Sequence, residues 1–314
     1  MKKILIFGTG FIANALIQHI NSVYTGTKIS VIYNKTRIKG ENAEGITQYS
    51  LDDNLKNVLS IEKPSYIVCL YGISFVPSNI DPMESIDKNV LTTLNFLEII
   101  YQTGYAENLE KILIIGSASE YGKFYKEAIS EDFKLHPTSL YGLSKIFLYN
   151  TALYYKERGL PIVYGRQYNT IGVDQRDVFA LPSFARQVAK IEKGLQEPIM
   201  DVGDLTQERD LLDVRDTVLA YTLLLKKGEI GEVYNIASGN YTSMENVVNI
   251  LLEQSSIAMA DIKIESNVKK FSENNSLSKR LWGDISKLRS LGFKPKYTLK
   301  ETTLDILNYW RANV

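Results

Sequence analysis

The chain has 314 residues, 45% of them hydrophobic and 23% charged, an ordinary globular make-up with enough apolar mass for one large or two modest domains. Lysine plus arginine and aspartate plus glutamate both number 36, so the charge balance favours neither a nucleic acid nor an anionic membrane as partner. The single Cys69 excludes a disulfide framework and points to a reducing cytoplasm, while two histidines far apart, His19 and His136, speak against a structural zinc site.

Met1-Lys2-Lys3 runs straight into Ile4-Leu5-Ile6-Phe7, an apolar strand too short for a signal peptide or a membrane span. Gly8-Thr9-Gly10-Phe11-Ile12-Ala13 follows, then a helical run through Ile20. Strand, glycine turn and helix in that order raise G-x-G-x-x-A above an ordinary βα turn, which stays as the plainer reading. Gly8 permits the tight turn, Gly10 lets a pyrophosphate approach the backbone, and the helix start at Phe11 and Ile12 offers it free N–H groups. A second strand is read at Ile29 to Tyr33. A fold that prefers NAD places a carboxylate at its end for the ribose 2′-hydroxyl. Asn34-Lys35-Thr36-Arg37 stands there instead. No acid and two cations suit a 2′-phosphate, so NADP(H) is expected over NAD(H), against the alternative of a solvated basic loop.

Further strands are read at Tyr66 to Leu70, Ile112 to Ile115 and Pro161 to Arg166, with a helix from Leu91 to Tyr101 opened by Asp87-Lys88-Asn89-Val90. The alternation implies an α/β protein with a doubly wound parallel sheet. Lys111 to Leu148 is the stretch around which the chain is organised. A polar turn, Gly116-Ser117-Ala118-Ser119, leaves the strand, and Pro137-Thr138-Ser139 starts a helix with Thr138 or Ser139 as its N-cap. Tyr141 and Lys145 stand four apart and share one helix face. An ammonium beside a phenol favours phenolate, so a lowered Tyr141 pKa is expected. A Ser117 hydroxyl on the same oxygen completes a proton-transfer device for a carbonyl/alcohol pair. In isolation, Tyr-x-x-x-Lys more often marks a surface lysine and a half-buried tyrosine.

With the glycine turn, the Ser117, Tyr141 and Lys145 set and several later runs taken together, the chain resembles the extended short-chain dehydrogenases/reductases across essentially its whole length. It is most similar to nucleotide-sugar 4-ketoreductases of the GDP-6-deoxy-4-keto-mannose reductase type. The resemblance implies a Rossmann-type sheet domain, residues 1–168 plus about 212–238, and a smaller C-terminal α/β nucleotide-sugar domain, about 169–211 and 239–314. It implies that Leu51, in Ser50-Leu51-Asp52-Asp53, lies beside the adenine, that Leu70, Tyr71 and Gly72 reach the cofactor, and that Phe75 and Ser119 face the sugar. Arg166 to Gly172 is similar to the family's Arg-x-x-Asn-x-x-Gly, which directs Asn169 to the substrate diphosphate. Arg186 and Lys190, on a helix read from Phe184 to Gly194, become phosphate partners, unless they are merely a solvated face. Arg209 to Asp216 resembles the family's Arg-Asp-Phe-x-Asp-Val-Arg-Asp run, with Arg209 toward the nucleotide and Asp213, Arg215 and Asp216 as an ion network and helix cap. Members commonly pair two helices per subunit into a four-helix interface, so a homodimer is expected. Two departures stand out. The glycine loop is one residue shorter than the family's G-x-x-G-x-x-G, and Asn274-Asn275-Ser276-Leu277 replaces an Arg-Pro-x-Glu-type run that grips the nucleotide. The nucleobase stays open.

The family contains reductases, 4-epimerases and 4,6-dehydratases, so the fold leaves the reaction undecided. A dehydratase needs a further acid/base two residues before the Tyr-Gly of the turn, where this chain has Ser119, preceded by Ala118. Glu120 is displaced by one residue and is expected to point to the other face. The turn has no cysteine and no histidine lies beyond His136, which disfavours an epimerase-reductase. Reduction of a 4-keto nucleotide sugar is the expected activity. A 4-epimerase is the nearer alternative and a non-catalytic dinucleotide sensor the remote one.

Overall fold

The computed structural model describes residues 2–73, 81–122, 126–266 and 280–314. Strand β1 (Lys3–Phe7) leads through the glycine turn into helix α1 (Phe11–Val23), and β2 (Lys28–Tyr33), β3 (Thr47–Ser50), α2 (Leu55–Glu62) and β4 (Tyr66–Cys69) follow. A helical stretch then runs from α3 (Pro82–Ile86) through a wide π-turn (Asp87–Leu91) into α4 (Thr92–Gln102). Next come β5 (Lys111–Ser117), α5 (Leu140–Lys156) and β6 (Ile162–Gln167). Short strands β7 (Asn169–Ile171), β8 (Ile199–Val202), β9 (Glu208–Arg209) and β10 (Leu211–Asp213) are interrupted by α6 (Ala180–Glu192). The chain continues through α7 (Val214–Lys227), β11 (Val233–Ile236), β12 (Thr242–Ser243), α8 (Met244–Glu253), β13 (Lys263–Ser266), β14 (Arg280–Leu281), α9 (Ser286–Ser290) and α10 (Leu299–Asn313).

Seven strands form a parallel sheet in the order β11-β6-β5-β4-β1-β2-β3. Its central strands are apolar on both faces, as a sheet covered by helices on each side demands. Ile4, Ile6, Val31, Val68 and Leu113 point to one face and meet Leu16, Ile17 and Ile20 of α1 and Tyr221 and Leu224 of α7. Their neighbours Leu5, Phe7, Ile32, Ile67 and Ile114 point to the other, against Phe96 and Leu97 of α4 and Leu148 and Ala152 of α5. Each such buried Leu, Ile or Phe contributes about 1.5–3 kcal/mol over leaving it in water. This is the doubly wound Rossmann-type sheet that the alternating sequence implies.

A third apolar cluster joins α6, α8 and α10 through Phe184, Val188, Val248, Leu251, Ile306 and Leu307. Residues 285–293, expected with this smaller unit, divide differently. Ile285, Leu288 and Phe293 pack into the first cluster. The reason is positional, since α9 lies over β11, the sheet's edge strand. Asp213 caps α7 and is bridged by Arg215, which also reaches Asp305 at 2.9 Å, while Asp216 accepts the Lys296 and Tyr297 backbone N–H groups, so Asp213, Arg215 and Asp216 do act as an ion network and cap.

Two helices begin earlier than their apolar periodicity suggests. Asp81 caps α3 with Pro82 in the first turn, a start signal ahead of the expected Asp87. Helix α6 starts at Ala180, because Pro182 is tolerated in a first turn, and ends two residues before Gly194. No helix among the described residues is long and apolar enough to cross a membrane.

Candidate active site

Strand β5 ends at Ser117, which is also the N-cap of a short 3-10 turn, Ala118–Glu120. Its hydroxyl accepts the Ser119 N–H at 3.1 Å, and the Glu120 carboxylate returns to the Ser117 N–H at 2.8 Å, so the turn closes on itself as a capping box. Helix α5 starts opposite this turn. Ser139, one of the two expected caps, accepts from the Gly142 N–H at 3.1 Å. A Cβ on Gly142 would lie 2.4 Å from the Ser119 carbonyl oxygen, so the glycine lets the helix start press directly against the turn. Ser117, Tyr141 and Lys145 are thereby brought together, with the Ser117 hydroxyl near enough to the Tyr141 phenol to favour its ionised form.

The electrostatics differ from the sequence expectation. Burial pushes the Tyr141 phenol up to about 12, against the pull of the Ser117 hydroxyl. Lys145 does not lower it. Its Nζ lies 5.8 Å from the Tyr141 ring centre and donates instead to the Ile115 carbonyl at 3.2 Å. Burial brings the Lys145 ammonium itself down to about 8. The phenol is therefore a neutral proton donor at ordinary pH, and desolvation outweighs the cation one turn away.

Glu120 turns into the core and is fully buried. Its Oε2 accepts from Arg166 Nε at 2.7 Å, and Oε1 accepts from the Tyr164 hydroxyl at 2.8 Å as well as from Ser117 N–H. Ala118 is buried and Ser119 half-buried, so neither preceding position carries an acid.

On the cofactor side the residues fit a dinucleotide. Gly8 has φ 111°, and a Cβ there would come 2.8 Å from the Tyr71 nitrogen, so only glycine lets β1 turn this close to β4. Gly10, with φ 145°, has nothing within 4 Å of where a Cβ would project. The first turn of α1, at Phe11 and Ile12, has neither an acidic residue nor a side-chain cap, which leaves its N–H groups to an anion. The Thr9 hydroxyl donates to the Thr36 carbonyl at 2.7 Å and ties the glycine loop to the basic loop. In that loop Asn34 donates to the Tyr71 hydroxyl at 2.7 Å, Arg37 donates to the Tyr33 hydroxyl at 2.8 Å, and Lys35 is exposed. Leu51 and Leu70 sit half-buried after β3 and β4, each holding its strand end by a backbone bond, to Tyr33 and Phe7 respectively. Asn89, in the π-turn, accepts from the Ile73 N–H at 2.8 Å beside Gly72 and donates to Ser144 of α5 at 3.2 Å.

The expected nucleotide end is less uniform. Pairing of β7 with β10 sets Asn169 beside Leu211, and the exposed Asn169 amide donates to the Asp210 carbonyl at 3.2 Å, next to Arg209. Arg209 lies on β9 and helps line a cavity of about 700 Å³ with Leu211, Tyr241, Arg289 and Tyr297, and none of the triad lines that cavity. Arg186 is engaged elsewhere. It pairs with Asp177 at 2.7 Å and lies over the Trp310 ring, and Lys190 follows one turn on, half-buried. The structure joins neither to Arg209 in that cavity. Phe75 and Asn274 to Leu277 lie outside the described residues.

A family model described as GDP-mannose 4,6 dehydratase matches residues 8–306. The chain belongs to this family. GDP-6-deoxy-D-mannose reductase of Pseudomonas aeruginosa is 32% identical over 258 residues, 81% of this chain and 82% of that protein. GDP-6-deoxy-D-talose 4-dehydrogenase of Aggregatibacter actinomycetemcomitans is 26% identical, with 97% of this chain and 96% of that protein covered. The solved structure of RMD from Pseudomonas aeruginosa complexed with NADPH superimposes with a TM-score of 0.82 at 28% identity, covering 99% of each chain. Dehydratases and a 4-epimerase also stand among the relatives.

As an extended short-chain dehydrogenase/reductase, the protein is an oxidoreductase-type enzyme built for a nicotinamide dinucleotide. Within that frame, sequence reasoning does not reach Tyr164 and Ser144, and it takes Arg166 only as the start of a motif. A signal is present: Arg166 stands in a strand otherwise apolar enough to be buried, and a buried guanidinium requires a carboxylate partner.

Proposed function

We propose that the protein reduces a 4-keto, 6-deoxy nucleotide sugar to the corresponding alcohol with NADPH, as a step in making an activated deoxysugar for surface polysaccharide. NADPH, when bound, supplies hydride to the keto carbon. Tyr141 gives its proton to the oxygen on which the charge develops, and Ser117 hydrogen-bonds that oxygen. Ketone, hydride and one proton balance to alcohol. The phenolate left on Tyr141 has the Lys145 ammonium one turn away, and solvent restores its proton. A phenol held at about 12 is the correct form for donation. Because Lys145 is brought down to about 8, its charge is present below that value and lost above it, so reduction is expected to weaken as pH rises through about 8.

The observation that carries the choice of reaction is the engagement of Glu120. Elimination of water needs a second acid/base at the sugar, and the one carboxylate of the turn is held by Arg166 and Tyr164. Supplied with a 4-keto-6-deoxy nucleotide sugar, the enzyme should oxidise NADPH in equal amount and leave a stable alcohol. Incubated with the parent GDP- or dTDP-hexose and oxidised coenzyme, it should form no keto-deoxy sugar, and formation of that product would overturn the reading. A 4-epimerase would use the same three residues. It would interconvert two hydroxy sugars with no net consumption of reductant, which the same assay detects. A sensor would bind coenzyme and turn over nothing.

NADPH is preferred in this reading because Lys35 and Arg37, and no acid, follow β2, and because the reductase-like relative was solved with NADPH. The nucleotide is assigned to the smaller domain, near Asn169 and Arg209. The protein is assigned as a homodimer through α4 and α5, which leave Tyr101, Leu143, Phe147 and Tyr154 exposed. Light scattering at micromolar concentration should give twice the 35.6 kDa chain mass, and a monomer would remove this assignment.

A further inference from the structure

We infer that Glu120 is a positioning residue, whose buried carboxylate holds the Ser117 turn against Tyr141 and places a negative charge beside the Lys145 segment. The inference rests on the reductase reading for its catalytic consequence, and on geometry for the rest. Both carboxylate oxygens are occupied: Oε1 accepts from Ser117 N–H at 2.8 Å and from Tyr164 at 2.8 Å, and Oε2 accepts from Arg166 at 2.7 Å. Three donors, one of them a guanidinium, favour the ionised carboxylate, while burial pushes its pKa up. Glu120 is 0% and Arg166 2% exposed, so water screens neither.

The pocket for this carboxylate is built from three directions. A Cβ on Gly116 would lie 2.3 Å from Glu120 Oε1 and 2.2 Å from the Tyr164 hydroxyl, so a side chain at 116 would displace both groups. The same Tyr164 hydroxyl lies 3.3 Å from the Lys145 carbonyl, which carries the contact to helix α5 at the residue that bears the ammonium. Arg166 is braced in turn by the Glu131 carbonyl at 3.1 Å and by Tyr121, whose hydroxyl donates to Asn235 at 2.8 Å. The titratable and charged groups that face the carboxylate are thus Arg166, Tyr164, Tyr121, Tyr141 and Lys145. Of these, Lys145 feels Glu120 as a stabilising charge against its own desolvation.

A purely structural ion pair makes a different prediction. Replacing both of its charges leaves a well-packed core and often costs little, with no effect on a neighbour's titration. Two variants separate the cases. Glu120→Asp keeps the charge and withdraws the oxygens from Ser117. Its kcat for NADPH-dependent reduction should fall at least about tenfold while the coenzyme KM stays within about twofold, and Lys145 should titrate as in the parent. Glu120→Gln combined with Arg166→Gln removes both charges without leaving one unpaired. In that protein the Lys145 Cε resonance, followed by NMR with no substrate present, should titrate at least about half a pH unit lower than in the parent.

Parent-like kcat in Glu120→Asp would overturn the inference, and so would an unmoved Lys145 titration in a folded double variant. If the double variant does not fold, Glu120→Asp decides by its kcat against its KM. The reductase reading fails separately, by absence of turnover in the parent on every keto sugar offered. The Lys145 titration needs no substrate and tests the electrostatic half regardless.

Discussion

At the triad end of the molecule, Ser117, Lys145, Glu120 and Arg166 are buried on two adjacent strands of seven and six residues, a seventeen-residue helix and the turn that leaves the first strand. At the end proposed for the nucleotide, Arg209 is half-buried on a two-residue strand, and Asn169 is exposed at the start of a three-residue one. Long elements hold a side chain to a fraction of an ångström because its rotamer is fixed by packing, whereas short strands and loops tolerate substitution. The difference separates two tasks. Proton transfer needs a geometry fixed before the substrate arrives. On the proposed function, recognition of a base and a sugar falls to short segments that can change without disturbing the chemistry.

The sharpest way to break that comparison is to remove one oxygen from the rigid end. Tyr141→Phe should lower kcat by at least about two orders of magnitude, the scale for losing a positioned acid. Coenzyme binding, read by NADPH fluorescence, should persist, because the ring and its packing are unchanged. Near-parent turnover would mean that another group supplies the proton, and that the fixed geometry at Ser117 and Lys145 serves something else.

What was legible in the sequence follows the same division. The strand periods of Ile4 to Phe7 and Ile112 to Ile115, the Gly8 and Gly10 turn, and the Tyr141 and Lys145 spacing are local patterns, and local patterns survive into the fold. The Tyr141 pKa was not legible. Spacing reveals that a cation is one turn away, but not that its ammonium turns to the Ile115 carbonyl or that burial outweighs it. Nor did motif order reveal that Glu120 and Arg166, 46 residues apart, meet in the core, because that contact follows from the pairing of β5 with β6. Arg186 illustrates the converse. A charge on an amphipathic helix resembles a phosphate ligand until Asp177, nine residues earlier, appears beside it.

A smaller effect is expected where Arg209 is shortened. Arg209→Ala should raise the KM for the nucleotide sugar about tenfold and leave kcat within about threefold, because a group that holds the nucleotide binds ground state and transition state alike. Steady-state kinetics on the keto sugar checks this. A fall in kcat with unchanged KM would erase the distinction between the two ends, since Arg209 would then act on the reacting atoms across the molecule.

The smallest effect belongs to the basic loop after β2. Arg37 is exposed and lies over Tyr33, with its guanidinium carbon 4.9 Å from the ring centre, and Lys35 is exposed in the same loop. Solvent-exposed charge pairs contribute about 0.2–1 kcal/mol. For a coenzyme 2′-phosphate that is about a 1.4- to 5-fold change in affinity per cation. Arg37→Ala should therefore raise the NADPH KM by no more than about fivefold and leave the NADH KM unchanged, because NADH has no 2′-phosphate to meet the cation. The contribution should shrink further as salt is raised, since screening acts on exposed charges at these distances. Measuring both KM values for parent and variant at two salt concentrations separates this from a general loss of binding. An equal rise for NADH and NADPH would return Lys35 and Arg37 to the role of solvated charges. A parent that binds NADH as well as NADPH would remove the coenzyme preference altogether.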